Sequence, residues 1–467
     1  MTQLKGLNTA LTALYANQRA IEVAGQNVAN VNTEGYTRQR VNLAAINAPV
    51  TPAIHSRSMN EVGGGVQVVS IERLQDAFLT QRANQEHATA SDLNRMAKTM
   101  ASVEQIFGEP SDNGIQSQMS DFAAAWQDVA NNPNDEAART QMLNRAATLA
   151  SGLNKADGDM VRLRDQSTNQ MQVTVTQVNS LTSQIAKLNE SIQMATIGDI
   201  SSNELADQRD LLVGKLAEMV GGTVKPAENG MVNIYLGSNA LVRGTNPSEI
   251  NPPGVAGDGS VTLTWKSDGS AVDLTAGELQ GLRKTINTTL SATAPEGYRT
   301  KLNAVASALM SAVNTQHQAG YDLQSPAQQG LAFFTGTTAA DIAVNPAIAN
   351  DPKKVAAAAA GAGKLDGTNA DAMTDLLAAT GGAADIYSAL VVGLGVEADT
   401  ANRRATIQSD VVTSADASKN SVSGVNLDEE MANLVQYQHA YNAAARILTA
   451  VDSTLDTLIN RTGRVGL

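Results

Sequence analysis

Leu7, Leu14, Ile21 and Val28 recur every seven residues near the start of the chain. Leu427, Leu434, Tyr441, Leu448 and Leu455 do the same near its end. A seven-residue apolar repeat is the seam of a coiled-coil-like helix pair. Both seams are imperfect, since Gln18, Gly25, Gln438 and Asp452 fall on apolar rows. The pattern therefore predicts terminal helices that order among neighbours, with residues 1–35 and 421–467 pairing. The second helix has a start signal. Asn426 can cap it, and Asp428, Glu429 and Glu430 place negative charge at the positive end of the helix dipole.

Between these ends the periodicity changes several times. Pro49, Pro52 and Gly63 to Gly65 break helices, and VQVVSI alternates like a strand, so residues 36–75 read as an extended connector. Apolar stripes such as Leu93, Met96, Met100, Val103 and Phe107 return the chain to helix. Asn132-Pro133 reads as a cap with proline at the first helical position. Gly221-Gly222 closes a helix carrying Leu205, Leu212, Leu216 and Met219. Residues 76–220, 276–332 and 373–420 are expected to form a helical body. MVNIYLGSNALV and VTLTW place a small β-rich subdomain at 221–275, and residues 333–372 read as a small loop-rich insertion. The fold class is mainly α with a smaller β part. It comprises coiled-coil-like terminal helices, an elongated helical-bundle domain and a small β-rich outer insertion.

Composition narrows the function. The 467 residues carry a formal net charge of -13, which disfavours nucleic acid and anionic membrane surfaces as partners. No segment has the roughly 20 consecutive apolar residues that span a bilayer. The first residues lack a continuous apolar stretch, so no cleaved secretory leader is expected. Cysteine is absent, which removes disulfides, thiolate metal sites and Cys nucleophiles. Aromatic residues make up only 3%, so the cores must rest on aliphatic side chains and alanine.

Candidate chemistry is sparse. His55, His87, His317 and His439 are scattered, and no H-E-x-x-H, G-x-S-x-G or Walker A pattern occurs. His317 is expected to cap a helix C-terminus, where the dipole favours the charged ring, and His439 to sit on a packed helix face. No catalytic, cofactor-binding or metal-ligating residue is assigned.

Residues 10–43, ALTALYANQRAIEVAGQNVANVNTEGYTRQRVNL, centre on the pattern N-V-A-N-V-N-T-x-G-Y. This stretch resembles the N-terminal signature of the flagellar rod, hook and hook-associated axial proteins. Residues 62–86 and the body segment FGEPSDNGIQSQMSDFAAAWQDVANNPNDEAARTQML are similar to the hook–filament junction members, as is the ending at residues 423–461. A hook or distal rod protein is the alternative within the family. The resemblance implies a structural, non-enzymatic subunit exported unfolded by the flagellar type III apparatus to the extracellular flagellum, without leader cleavage. It implies no cofactor. The implied partners are copies of itself, the flagellar hook protein, the second hook–filament junction protein and an export chaperone at the C-terminal region. The expected assembly residues are Leu7, Leu14, Ile21, Val28, Asn30, Gly35, Tyr36, Arg38, Leu427, Leu434, Tyr441, Leu448 and Leu455. Gly35 is expected to end the first helix with a positive backbone dihedral.

Overall fold

The computed structural model describes residues 2–46 and 64–457. Pro49, Pro52, His55 and Gly63 lie outside the described residues. The chain starts in helix α1 (Thr2–Ala29) and enters an antiparallel ribbon of β1 (Gln39–Ala45) and β2 (Val66–Arg73). Four helices follow: α2 (Ala77–Phe107), α3 (Ile115–Asn131), α4 (Glu136–Ile197) and α5 (Asn203–Val220). An antiparallel meander of β3 (Thr223–Pro226), β4 (Val232–Leu236), β5 (Asn239–Arg243) and β6 (Asn246–Pro247) comes next. A small hairpin joins β7 (Gly254–Val255) to β8 (Val261–Thr262). The chain returns to helix in α6 (Glu278–Lys284) and α7 (Tyr298–Ala319). A loop-rich stretch carries β9 (Phe334–Thr335), β10 (Ala343–Val344) and α8 (Pro346–Ala349). Helices α9 (Thr368–Leu377), α10 (Ala383–Ser423) and α11 (Leu427–Asp456) complete the described chain. The mainly helical class with a smaller β part is what the apolar spacing predicts.

Several local expectations need correction. Helix α1 stops at Ala29, so Gly35, at φ +81°, sits in the following turn and does not end the helix. Within the connector, β1 and β2 pair and satisfy each other's backbone groups. Asn132 closes α3, whereas Asp135 caps α4 by accepting from the Ala137 N–H. The cause at Asn132 is simple: the side-chain oxygen one residue before Glu136 reaches the unpaired amides, and Asn132 lies too far upstream.

Helix α4 organises the body. Its 62 residues span about 93 Å at 1.5 Å per residue. Met142, Leu149, Leu153 and Met160 on its first half join one hydrophobic core with α2, α3, α7, α9 and α10. Met171, Val175, Val178 and Ile185 on its second half join another with α5, α6 and the meander. Residues 333–372 pack into the body. Phe333, Phe334, Ile342, Ile348 and Val355 are buried in the first core, with Phe333 5.5 Å from the Trp126 ring centroid. Burying such rings contributes about 1.5–3 kcal/mol each, which is why a polar-looking loop stays docked.

His317 departs from its expected role. It is fully buried, Nδ1 donates to the Leu331 carbonyl at 2.6 Å, and Nε2 accepts the Ala356 N–H at 2.9 Å. Burial pushes the imidazole down to about 4, so the ring is neutral and pins two loop strands. His439 is exposed on α11 and not packed.

Helical asparagines dock non-helical backbone throughout the body. Asn179 clasps both backbone groups of Ile250, Asn189 those of Val232, Asn287 those of Val261 and Asn314 those of Phe334. In each case the amide N–H donates to a carbonyl while the amide oxygen accepts the same residue's N–H. A side-chain amide thereby does what a neighbouring strand would do.

Candidate functional site: the terminal-helix junction

Helices α1 and α11 pack against each other, and α1 also packs on the ribbon. The buried face of α1 is built mostly of small residues: Ala10, Ala16, Ala20, Val23 and Ala24. Small side chains let helix backbones approach closely, and the larger seam residues are displaced to the rim. Leu7, Leu14, Ile21 and Val28 are accordingly only half-buried. On α11 the contact row begins at Glu430 and continues through Leu434, Tyr437, Tyr441, Ala444, Leu448, Val451 and Leu455 in alternating steps of four and three. Leu427 falls outside it and is 45% exposed. Met431, Val435 and Ile447 on α11, with Leu11 and Tyr15 on α1, are also exposed.

The junction itself is polar and closely bonded. Asn27 is 1% exposed, and its amide is fully used. Nδ2 donates to the Gln39 carbonyl at 2.9 Å and to Glu430 Oε2 at 3.0 Å. Oδ1 accepts from Tyr36 Oη at 2.8 Å and from the Gln39 N–H at 2.9 Å. Asn27 is thus the same backbone clasp seen in the body, extended by two side chains. Arg38 donates to Glu430 Oε1 and Glu429 Oε2, both at 2.7 Å, and its backbone N–H donates to the Ser423 carbonyl. These bonds hold the turn after α1 to the start of α11. The Asn426 side chain caps that start by accepting from the Asp428 and Glu429 N–H groups.

A second set of bonds ties the ribbon to α5. Arg73 pairs with Asp207 at 2.8 Å and with Asp210 at 2.6 Å, and the Thr37 N–H donates to Asp207. Asn203 donates to the Gln39 side chain and to the Ile71 carbonyl. Burial raises the Asp207 carboxyl, opposed by Thr37 and Arg73. Burial, followed by the nearby Asp207, Glu204 and Glu430 charges, pushes the Tyr36 phenol up to about 12. Tyr36 is therefore a neutral donor at any physiological pH.

Of the sequence-derived residues, Tyr36 and Arg38 meet in this node. Asn30 stands apart and closes the turn by accepting from Thr33. Gly35 lies against α5, where an added Cβ would come within 3.1 Å of Leu211 Cβ. Asn27, Gln39, Arg73, Asp207 and Glu430 were missed as node residues. The available signal was that Asn27 and Glu430 are polar residues occupying positions of buried rows. Among the described residues, no three His, Asp or Glu side chains converge to hold a metal, and no helix is long and apolar enough to cross a membrane.

Known proteins resemble this chain along most of its length. The description "Flagellar hook-associated protein FlgK helical domain" matches residues 100–334. "Flagella basal body rod protein" matches residues 7–37, and "Flagellar basal body rod FlgEFG protein C-terminal" matches residues 419–461. Flagellar hook-associated protein 1 of Bacillus subtilis is 30% identical, with 98% of each chain covered. That of Escherichia coli is 28% identical, covering 97% of this chain and 99% of its own. The flagellar hook junction protein FlgK from Burkholderia pseudomallei shares the fold, with a TM-score of 0.62 over 73% of this chain and 100% of that one, at 19% identity. A near end-to-end relative, a matching helical body and rod-type terminal segments together place the chain in the flagellar hook-associated protein 1 family.

Proposed function

We propose that this chain is a non-catalytic structural subunit laid down between flagellar hook and filament, where its terminal helices pack against copies of itself. Its further partners on this reading are the flagellar hook protein, the second hook–filament junction protein and an export chaperone that holds the C-terminal region. Export by the flagellar type III apparatus delivers it to the extracellular flagellum. The observation that carries the reading is the apolar surface left outside the α1–α11 contact. Leu11, Tyr15, Leu427, Met431, Val435 and Ile447 are large, exposed and close in sequence to the seam. Such surface is a liability on an isolated monomer and suits a subunit surrounded by neighbours. The predicted assembly residues Leu7, Leu14, Ile21, Val28, Leu434, Tyr441, Leu448 and Leu455 then serve both the intramolecular pair and its rim.

Electron microscopy of cells lacking the protein tests this. Hooks without filaments are expected, with rescue by the intact chain. A Val435→Asp/Ile447→Asp variant should be exported yet fail to restore filaments. Normal filaments in the deletion strain, or full rescue by that variant, would refute the proposal.

A further inference from the structure

The last turn of α4 and the short turn that joins it to α5 expose apolar side chains. Met194 is 63% exposed, Ile197 71% and Ile200 67%. Asp199 in the same turn takes φ +54°, a left-handed conformation that a non-glycine residue seldom adopts. Asp199 is also the one charged residue between Ser191 and Asn203. The other neighbours along the chain are Ser, Thr, Gln, Ala and Gly, so the sequence around the tip is poor in charge. Depletion of charge around a large apolar centre is the composition of a buried contact.

The position of the tip indicates what covers it. Asn203, three residues beyond Ile200, donates to the Ile71 carbonyl of β2 at 3.0 Å. The tip therefore lies at the pole of the body where the ribbon and terminal helices attach, beside a ribbon that itself exposes Val69 and Leu43. Three such side chains offer roughly 300–400 Å² of apolar surface, the size at which a patch stops being ordinary. A free-standing interface needs about 800 Å² from each partner. The tip is thus too small to bind a partner alone and large enough to add to a contact that something else initiates. Terminal helices that gather copies side by side would supply that initiation at this same pole.

The geometry points to a lateral contact, in which Met194, Ile197 and Ile200 of one copy pack against an adjacent copy of this chain once both are assembled. The contact rests on the assembly reading proposed above and adds a second zone, on the body, to the one on the terminal helices. It leaves the soluble protein monomeric.

Photo-cross-linking in assembled appendages distinguishes the two zones. Ile197, Ile447 and the exposed Gln141, on the first turns of α4, are each replaced in separate strains by p-benzoylphenylalanine. Irradiated hook–filament preparations with the probe at position 197 should yield an adduct of twice the 48.6 kDa chain mass, in which every peptide maps to this chain. The yield should exceed that from position 141 at least tenfold, and the purified monomer should give none. A dimer from position 447 with none from position 197 would overturn the tip contact alone. An adduct from position 197 that contains a different protein would overturn it as well. No self-adduct from either position would overturn the assembly reading together with the tip.

Discussion

Replacing Asn27 with aspartate exchanges one nitrogen for an oxygen, removes its two hydrogens and tests the junction directly. The acceptor that serves Tyr36 and the Gln39 N–H survives, while the donor to Glu430 and to the Gln39 carbonyl is lost. A second carboxylate then faces Glu430 across about 3 Å, with charge centres about 4 Å apart, which costs about 4 kcal/mol at an effective dielectric near 20. Proton uptake by the pair trims this, and the orphaned Gln39 carbonyl adds about 1–3 kcal/mol. Asn27→Asp should therefore destabilise the junction by about 4–5 kcal/mol. Glu430→Gln alone should cost about 1–2 kcal/mol, because Arg38 keeps Glu429. Combined, the glutamine amide supplies a donor to the new carboxylate, so the double variant should recover about 2–3 kcal/mol relative to simple addition. Urea unfolding gives the global energies. Hydrogen exchange of the Gln39 amide, which Asn27 accepts, reads the site itself. Equal exchange in wild type and Asn27→Asp, or a double variant no better than the sum of its parts, would refute the clasp.

Three further outcomes follow from the geometry. Because the folded His317 imidazole is held down near 4 against about 6.5 when unfolded, stability should be complete above pH 6.5 and fall by about 3 kcal/mol on acidification to pH 4; urea midpoints that stay flat across that window, or an undiminished slope in His317→Gln, would contradict it. Gly35→Ala, at φ +81° and pressed on Leu211, should cost about 1–2 kcal/mol in thermal melts, whereas the same change at Gly25, which has open space, should cost nothing or stabilise the helix. Arg73→Ala strands the buried Asp207 and should cost about 3–5 kcal/mol, partly recovered by adding Asp207→Asn; no recovery on calorimetry would mean that the ion pair is not what holds the ribbon to α5.

The sequence displayed its helices and concealed their faces. Heptad leucines announced α1 and α11, and Asn426 marked the start of α11 to the residue. The face of α1 that actually packs is mostly alanine, which contributes little to an apolar stripe but allows backbones to come close. The large residues that made the pattern visible ended on the rim for the same reason. Asparagines were harder still. Asn27, Asn179, Asn189, Asn287 and Asn314 interrupt helical stripes as polar residues, and nothing in the spacing tells which backbone each will clasp. In residues 333–372 abundant alanine and glycine hide five anchoring side chains, whose role depends on Trp126 some 200 residues earlier. The junction node failed to register because its charges come from α1's turn, β2, α5 and α11, which only the fold brings together.

The length of α4 gives this molecule a fixed phase. Each residue of an α-helix advances about 1.5 Å and turns about 100°. Met142 to Met160 sets one core and Met171 to Ile185 the other, with no break in the helix between them. Removing one residue from the stretch between Met160 and Met171 would swing every contact of the second core by about 100° relative to the first. Removing seven would restore the angle to within about 20° and shorten the spar by about 10 Å. The helix therefore behaves like a keyed shaft: changes of length between the two cores must arrive in steps that restore the angle, such as about seven, eleven or eighteen residues, whereas single-residue insertions are confined to the loops at its ends.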